Sequence, residues 1–482
     1  MAGPVYVCFW FDTEDYVTPA ADDAAQRLAE MFTRHHAKAT FKVVTQKVMR
    51  FDDRDLSGFI GALARHDLGF HTSSHSRHPT VTEYCEPLGW DEGIAAFRER
   101  ESYGLEHLRH VFRRPFSTYG QPGGAWAPHV FPVLREWGIP TYVDEGGHIG
   151  LNEQPFWYQG VLNVFGMGRN FTRMDLRRPE GLAEGQARFD AIYERLRSSG
   201  GGLISICFHP CEWVTEEFWD AVNFARGQNP AGRLRRPRRT PKREVERRFG
   251  VFEKYLEHIL ATGAQTIACA DLPRLYPDET RTRYFSLEEV LEATKDWDTE
   301  IGPVRTDAGW LSAAELFAFV ATHHSPHSRA WRSSVRGQPR WDPADEEQTY
   351  EPIGHIQGPS RRAAALTRPI ELPLLSLMNA IPRELLASPY GPRMPSALLV
   401  DGHIVPPADW LSAAIRVLQH TRRRGRAPRS VELRPAKLVT EDCVADSGVW
   451  DWIIFPEGFT APNCVELAKL QAWTLKPAVL AS

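Results

Sequence analysis

Three short stretches carry residue types that chemistry needs. The first is Phe11-Asp12-Thr13-Glu14-Asp15, where three carboxyl groups follow the apolar run 5–11. Carboxylates this crowded repel one another unless a cation or a shared proton relieves them. The same residues also suit an acidic helix start, with Thr18 as the cap. The second stretch is His71-Thr72-Ser73-Ser74-His75. Four apart on a helical turn, the two imidazoles face one side and can share a metal. The spacing alone is weak evidence: 18 histidines in 482 residues give about 0.6 such pairs by chance. A second pair, His323 and His327, reads as surface loop. The third stretch is Leu203-Ile204-Ser205-Ile206-Cys207-Phe208-His209-Pro210, a strand-like run that ends in histidine and is halted by proline. A carboxylate and two imidazoles suit Zn²⁺ and leave a position open for water.

These residues need strand ends to hold them. In the first run Val5, Val7, Phe9 and Phe11 alternate with Tyr6, Cys8, Trp10 and Asp12. The acidic cluster therefore sits at the C-terminal end of a strand, where α/β folds place their sites. Further strand-like runs at 40–44, 68–70, 140–143, 162–165, 203–208 and 265–268 alternate with helical patterns at 20–35, 56–64 and 130–137. Residues 1–277 are thus predicted to form a closed or nearly closed β/α barrel, with an open doubly wound sheet as the competitor. After Pro277 the alternation stops. Residues 278–482 are predicted to be a smaller, mainly helical accessory domain, with helices at 285–294 and 311–321 and an irregular insert at 325–368. Asp307–Phe317 and Asp401–Leu411 look like a diverged repeat, loosely similar to the pseudomurein-binding repeat. A chain ending near Pro277 is expected to fold without the rest.

An apolar content of 42% excludes disorder as the dominant state, and 57 basic against 61 acidic residues leaves no global field for nucleic acid. Residues 233–248 hold nine of the Lys and Arg. That run reads as a solvated loop entering a helix, or as a flap over an anionic substrate. No apolar stretch approaches the ~18 residues of a membrane span. The N-terminal run lacks a basic leader and the seven cysteines are scattered, which predicts the cytoplasm.

In order and spacing, Phe11-Asp12-Thr13-Glu14-Asp15, His71-Thr72-Ser73-Ser74-His75 and Phe208-His209-Pro210 resemble the NodB-type polysaccharide deacetylases, carbohydrate esterase family 4. The resemblance covers about residues 1–275. It implies a distorted β/α barrel and hydrolysis of N- or O-acyl groups with a divalent metal. It further implies Asp12 as catalytic base, Asp15, His71 and His75 as metal ligands, and His209 as general acid. The family usually has adjacent aspartates. Here Thr13 and Glu14 intervene, so Asp12, Glu14 and Asp15 all remain candidates for the metal. Gly120-Gln121-Pro122-Gly123-Gly124-Ala125-Trp126-Ala127-Pro128 resembles the third motif, but Gly120 stands where an arginine that orients the base is expected. Arg114 and Gln121 are the candidates for its role. Tyr119, Gln121 and Trp126, with Trp10, are candidate substrate contacts, and a backbone N–H of the Trp126 segment is the candidate oxyanion donor.

The expected activity is removal of an acyl group, acetyl foremost, from a sugar or glycoconjugate, with zinc as the cofactor. A small-molecule amidase on the same barrel is one alternative. A glycan-binding protein that keeps a residual metal site is another.

Overall fold

In the computed structural model, which describes residues 3–49, 55–324, 331–333, 339–341, 349–350, 354–380 and 388–481, strand β1 (Val5–Thr13) is the central element. Its outward residues Phe9 and Phe11 pack on Phe32 of helix α1 (Pro19–Arg34), with ring centroids 5.1 and 5.5 Å apart. Its inward residues Cys8 and Trp10 join a separate buried cluster with Val143, Leu162, Val164, Cys207 and Ile267, drawn from strands on both sides. The two-face alternation expected for β1 is therefore observed. Both faces are buried, as parallel strands covered by helices require.

The strands are β2 (Thr40–Val43), β3 (Asp67–Phe70), β4 (Thr118–Tyr119), β5 (Thr141–Val143), β6 (Phe156–Tyr158), β7 (Val161–Val164), β8 (Phe171–Thr172), β9 (Gly202–Phe208) and β10 (Gln265–Ile267). They hydrogen-bond in the order β6-β7-β5-β4-β3-β2-β1-β9-β8, while β10 pairs with β1 through Tyr6 to Cys8. All pairs are parallel except the β6–β7 hairpin. The inner cluster spans β1, β5, β6, β7, β9 and β10, so the sheet curls around one interior as a distorted β/α barrel. Helices α2 (Ser57–Leu63), α3 (Trp90–Phe112), α4 (Val130–Glu136), α5 (Gly181–Ser198) and α6 (Lys242–Ala261) complete the outer layer. The basic run 233–248 enters α6 at Lys242, and the buried Arg248 guanidinium donates to the Glu212 carbonyl at 2.6 Å.

The C-terminal region is smaller and helical, with α7 (Leu287–Ala293), α8 (Ala313–His324), α9 (Pro407–Arg424) and α10 (Pro462–Gln471) joined by short two-stranded pairs. His323 lies in the last turn of α8 and not in a loop, while His327 and parts of the 325–368 insert lie outside the described residues. Of the two segments expected to be repeats, each enters its helix, α8 or α9, from a short strand. The region's large aromatics do not all pack among themselves. Trp410 contacts Phe317, whereas Trp450 meets His148 of the barrel at 5.3 Å. The terminal strand Lys476–Pro477 pairs antiparallel with β6 and extends the barrel sheet. Among the described residues no helix is long and apolar enough to cross a membrane.

Lys476 fastens that strand. Its buried ammonium donates to Asp278 at 2.7 Å, to Thr280 at 2.9 Å and to both oxygens of Glu315 at 2.8 and 3.0 Å. Removing the cation strands two carboxylates away from water, a loss typically worth ~3–5 kcal/mol. Lys476→Ala is expected to lower unfolding stability by about that amount in urea titration. A change below ~1 kcal/mol would show that water or protonation compensates for the missing ammonium.

Candidate metal and hydrolytic site

Period-two alternation carries β1 from Cys8 and Trp10 to Asp12, and β9 from Cys207 to His209, all on the inner side. On β2 the same parity turns Lys42 inward between the outward Phe41 and Val43. The strand ends therefore deliver Asp12, Lys42, His71 and His209 to one mouth of the barrel. His71 follows β3 directly, but the His71–His75 segment is an irregular turn and not a helical one. Thr72 and His75 take positive φ values of 64° and 53°, which side chains other than glycine seldom adopt. Two bonds hold the turn: Ser73 N–H to Glu101 at 2.6 Å, and His75 N–H to Thr72 Oγ1 at 3.0 Å.

The carboxylate nearest the histidines belongs to Glu14. Its Oε2 lies 2.8 Å from His75 Nε2 and 3.5 Å from His71 Nε2. Asp15, the ligand implied by the resemblance, points elsewhere. Its Oδ1 accepts the Val17 and Thr18 N–H groups at 2.8 and 2.9 Å ahead of α1, the cap-like role also open to this cluster. Burial raises the Asp15 pKa, against the pull of Lys47 and those N–H groups. Burial also disfavours charge on Glu14, yet His75, His209 and His71 hold its carboxyl well below the usual range.

Both histidine rings are oriented from behind. His71 Nδ1 can only donate to the Gly120 carbonyl, at 2.9 Å, which leaves a lone pair on Nε2. His75 Nδ1 lies 2.7 Å from Ser76 Oγ, and that hydroxyl donates to Asp220 Oδ2 at 3.3 Å. Nδ1 of His75 is therefore the donor, and its Nε2 is the atom turned toward Glu14. Both Nε2 atoms are buried without a hydrogen bond. Two imidazole nitrogens aimed at one carboxylate need a proton or a cation between them, and the donor set of two nitrogens and one carboxylate fits a divalent metal.

Asp12 stands beside this triad, with Oδ1 3.9 Å from His71 Nε2 and Oδ2 3.6 Å from His209 Nε2. Its orienting cation is Lys42, whose Nζ is 2.8 Å from Asp12 Oδ1, 2.9 Å from the Val143 carbonyl and 3.1 Å from Asp144 Oδ2. The ammonium also sits 4.0 Å above the Trp10 ring. Two glycines make room for it. A Cβ on Gly69 would meet Lys42 Cγ at 2.6 Å, and one on Gly120 would meet Lys42 Nζ at 2.1 Å. Gly120, where the resemblance calls for arginine, is thus the gap through which Lys42 reaches the same carboxylate. Neither proposed substitute serves. Arg114 donates to the Ala64 carbonyl at the surface, and Gln121 is buried against Tyr142. Burial opposes charge on Asp12, but His71, Lys42 and His209 hold its pKa down.

His209 is the half-buried member. Its Nδ1 donates to Glu212 Oε1 at 2.7 Å, and Glu212 in turn pairs with Arg173. Despite burial, Glu14, Glu212 and Asp12 push the His209 pKa up to about 10. The Glu212 carboxyl falls to about 2, because Arg173 and His209 outweigh its burial. These carboxylates favour the imidazolium form of His209, whose Nε2 lies 3.6 Å from Asp12 Oδ2.

The aromatic candidates lie elsewhere. Tyr119 and Trp126 are enclosed in the outer core and Trp10 in the inner one, so none offers a free ring face. The Trp126 N–H donates to the Gly124 carbonyl at 2.8 Å and is not free as an oxyanion donor. Sequence reasoning missed Lys42, Glu212 and Asp220. A lone lysine inside the apolar run 40–44 was the available signal for the first; the other two carry none.

No protein-family profile and no curated protein matches the chain. Solved structures do. A candidate polysaccharide deacetylase from Mycobacterium smegmatis is 15% identical over 56% of this chain and 88% of its own, with a TM-score of 0.35. A CE4 family pseudoenzyme from Bacillus anthracis is 13% identical over 56% and 66%, with a TM-score of 0.31. An allantoinase is 12% identical over 56% and 89%, with a TM-score of 0.35.

Proposed function

We propose that the chain is a metal-dependent hydrolase that removes an N-acyl group, acetyl foremost, from a sugar or glycoconjugate. The observation that carries this reading is the convergence of Glu14, His71 and His75 on one point, with Asp12 and a protonated His209 beside it. Glu14 takes the place that the resemblance gives to Asp15. A zinc ion held by Glu14, His71 and His75 would supply Lewis acidity, polarising the acyl carbonyl and lowering the pKa of the attacking water toward ~7.

The chain's own residues do the proton work. Asp12, ionised and fixed by Lys42, accepts the proton of the water. His209, held as imidazolium by Glu212, gives its Nε2 proton to the departing nitrogen. Lys42 contributes by position: tied also to Asp144 and the Val143 carbonyl, it holds the Asp12 carboxylate in one rotamer.

Metal analysis after zinc loading tests the ligand set. Wild type and Asp15→Asn are expected to hold about one equivalent, while Glu14→Gln, His71→Ala and His75→Ala lose most of it. Asp12→Asn should keep the metal and lose ~10²–10⁴-fold in acetate release from acetylated sugars. Metal retained by Glu14→Gln but lost by Asp15→Asn would return the ligand role to Asp15.

Lys42→Met is expected to cut turnover about 100-fold with metal content unchanged. Adding Gly120→Arg to that variant places a guanidinium in the vacated gap and should recover part of the loss. No recovery, with the fold intact, would mean that Asp12 needs the lysine specifically.

Glu212→Gln removes a carboxylate that stabilises the imidazolium. The alkaline limb of the pH–rate profile should therefore move to lower pH by about 1–3 units. An unmoved limb would exclude His209 as the acid. Release of ammonia or ring-opened product from small amides, with no acetate from any acetylated sugar, would shift the assignment to an amidase.

A further inference from the structure

Segment 449–455 of the C-terminal region runs across the mouth of the barrel. Its backbone is held by the N–H groups of Arg226 and Gly227, which donate to the Ile453 and Ile454 carbonyls at 2.9 and 2.7 Å. Trp450, Ile454 and Phe455 are buried beneath it. Trp452 is not: 37% of it remains exposed, yet its ring is fixed on several sides. The indole N–H donates at 2.8 Å to Asp220 Oδ2, the oxygen that also receives the Ser76 hydroxyl behind His75. The Phe218 ring lies nearly perpendicular to the indole at 5.5 Å and to the His209 ring at 5.1 Å. On another side Gly123 approaches so closely that a Cβ there would lie 2.7 Å from Trp452 Cδ1, and its φ of +48° suits glycine. Trp452 is thus linked through one partner to the candidate ligand His75 and through another to His209.

We propose that Trp452 is a substrate-binding residue that stacks on the apolar face of a hexosamine ring presented to the site. This deepens, and rests on, the sugar reading above. The physical case is that an exposed tryptophan ordinarily gains nothing from being rigid. Here the N–H is already bonded to a buried carboxylate, so the exposed part of the indole meets a ligand through ring carbons and the π system and not through a donor. A pyranose ring, with its axial C–H groups, is the ligand chemistry that such a face takes, and an immobilised indole binds it with little further loss of side-chain freedom. The aromatic residues adjoining the third motif, Tyr119 and Trp126, are enclosed and cannot do this. The C-terminal region therefore supplies part of the substrate cleft.

The test uses the full-length, zinc-loaded protein and a β-linked N-acetylglucosamine tetramer, with calorimetric binding and acetate release measured in parallel. Trp452→Ala is expected to weaken tetramer binding about 5–10-fold and to raise KM by a similar factor, with a smaller effect on kcat. Trp452→Phe keeps a ring and loses only the N–H, so it should stay within about 2–3-fold of wild type. Unchanged affinity in Trp452→Ala overturns the proposal. So does an equal loss in Trp452→Phe, which would make the residue an anchor for Asp220 and not a stacking surface. Absence of tetramer binding by wild type overturns it as well. Binding that depends on Trp452 without acetate release would leave this inference standing and refute the hydrolase reading.

Discussion

A single buried ammonium makes this barrel mouth possible. Lys42 has no access to water, so its charge is tolerable only because Asp12, Asp144 and the Val143 carbonyl surround it. Two carboxylates this close would otherwise force a proton onto one of them. The charge on Asp12 is retained because His71, Lys42 and His209 favour it, while burial raises the Asp144 pKa to about 7. Everything near the lysine makes way for it: glycine at 69 and 120, an indole face beneath, and strand parity that turns it inward among outward-facing phenylalanines.

Charge balance at the mouth depends on this arrangement. Around the barrel end, Glu14 faces two imidazoles, Asp12 faces Lys42 and His209, and Glu212 faces His209 and Arg173. Each buried anion has a cation or a polarised ring beside it, so the electrostatic cost of the site is met locally. The two histidines commit Nδ1 to Gly120 and Ser76, and their orientation is set before any ligand arrives.

Much of this was legible in the chain itself. Apolar runs ending abruptly in Asp12, His71 and His209 announced three strand ends, and alternation along 5–12 put Asp12 on the face opposite Phe9 and Phe11. Seven of the barrel strands were visible because they are β-branched or aromatic runs. Strands β4 and β8 are only two residues long, and β6 sits among turn residues, so no periodicity could mark them. Which of Glu14 and Asp15 faces the histidines was hidden for a different reason. It is decided where the chain leaves β1 and Asp15 turns to accept the N–H groups ahead of α1, which spacing cannot reveal. Lys42 reads in sequence as a mere interruption of a strand, because its purpose appears only when Gly69 and Gly120 arrive from β3 and just beyond β4. Trp452 comes from the far end of the chain and carried no local signal at all.

The edge strand at Lys476 has a consequence for how the molecule comes into being. It pairs with β6, and nearby Gln159 bonds Thr474 across a sequence separation of 315 residues. Contacts that distant are slow to form and cannot exist while the chain between them is still being made. During synthesis, β6 therefore waits as an open sheet edge until translation has passed residue 477. The segment bearing Trp452 reaches the mouth only shortly before that. The strand ends that carry Asp12, His71 and His209 are encoded early and can assemble first. The barrel mouth in its finished shape is among the last features that the growing chain can acquire.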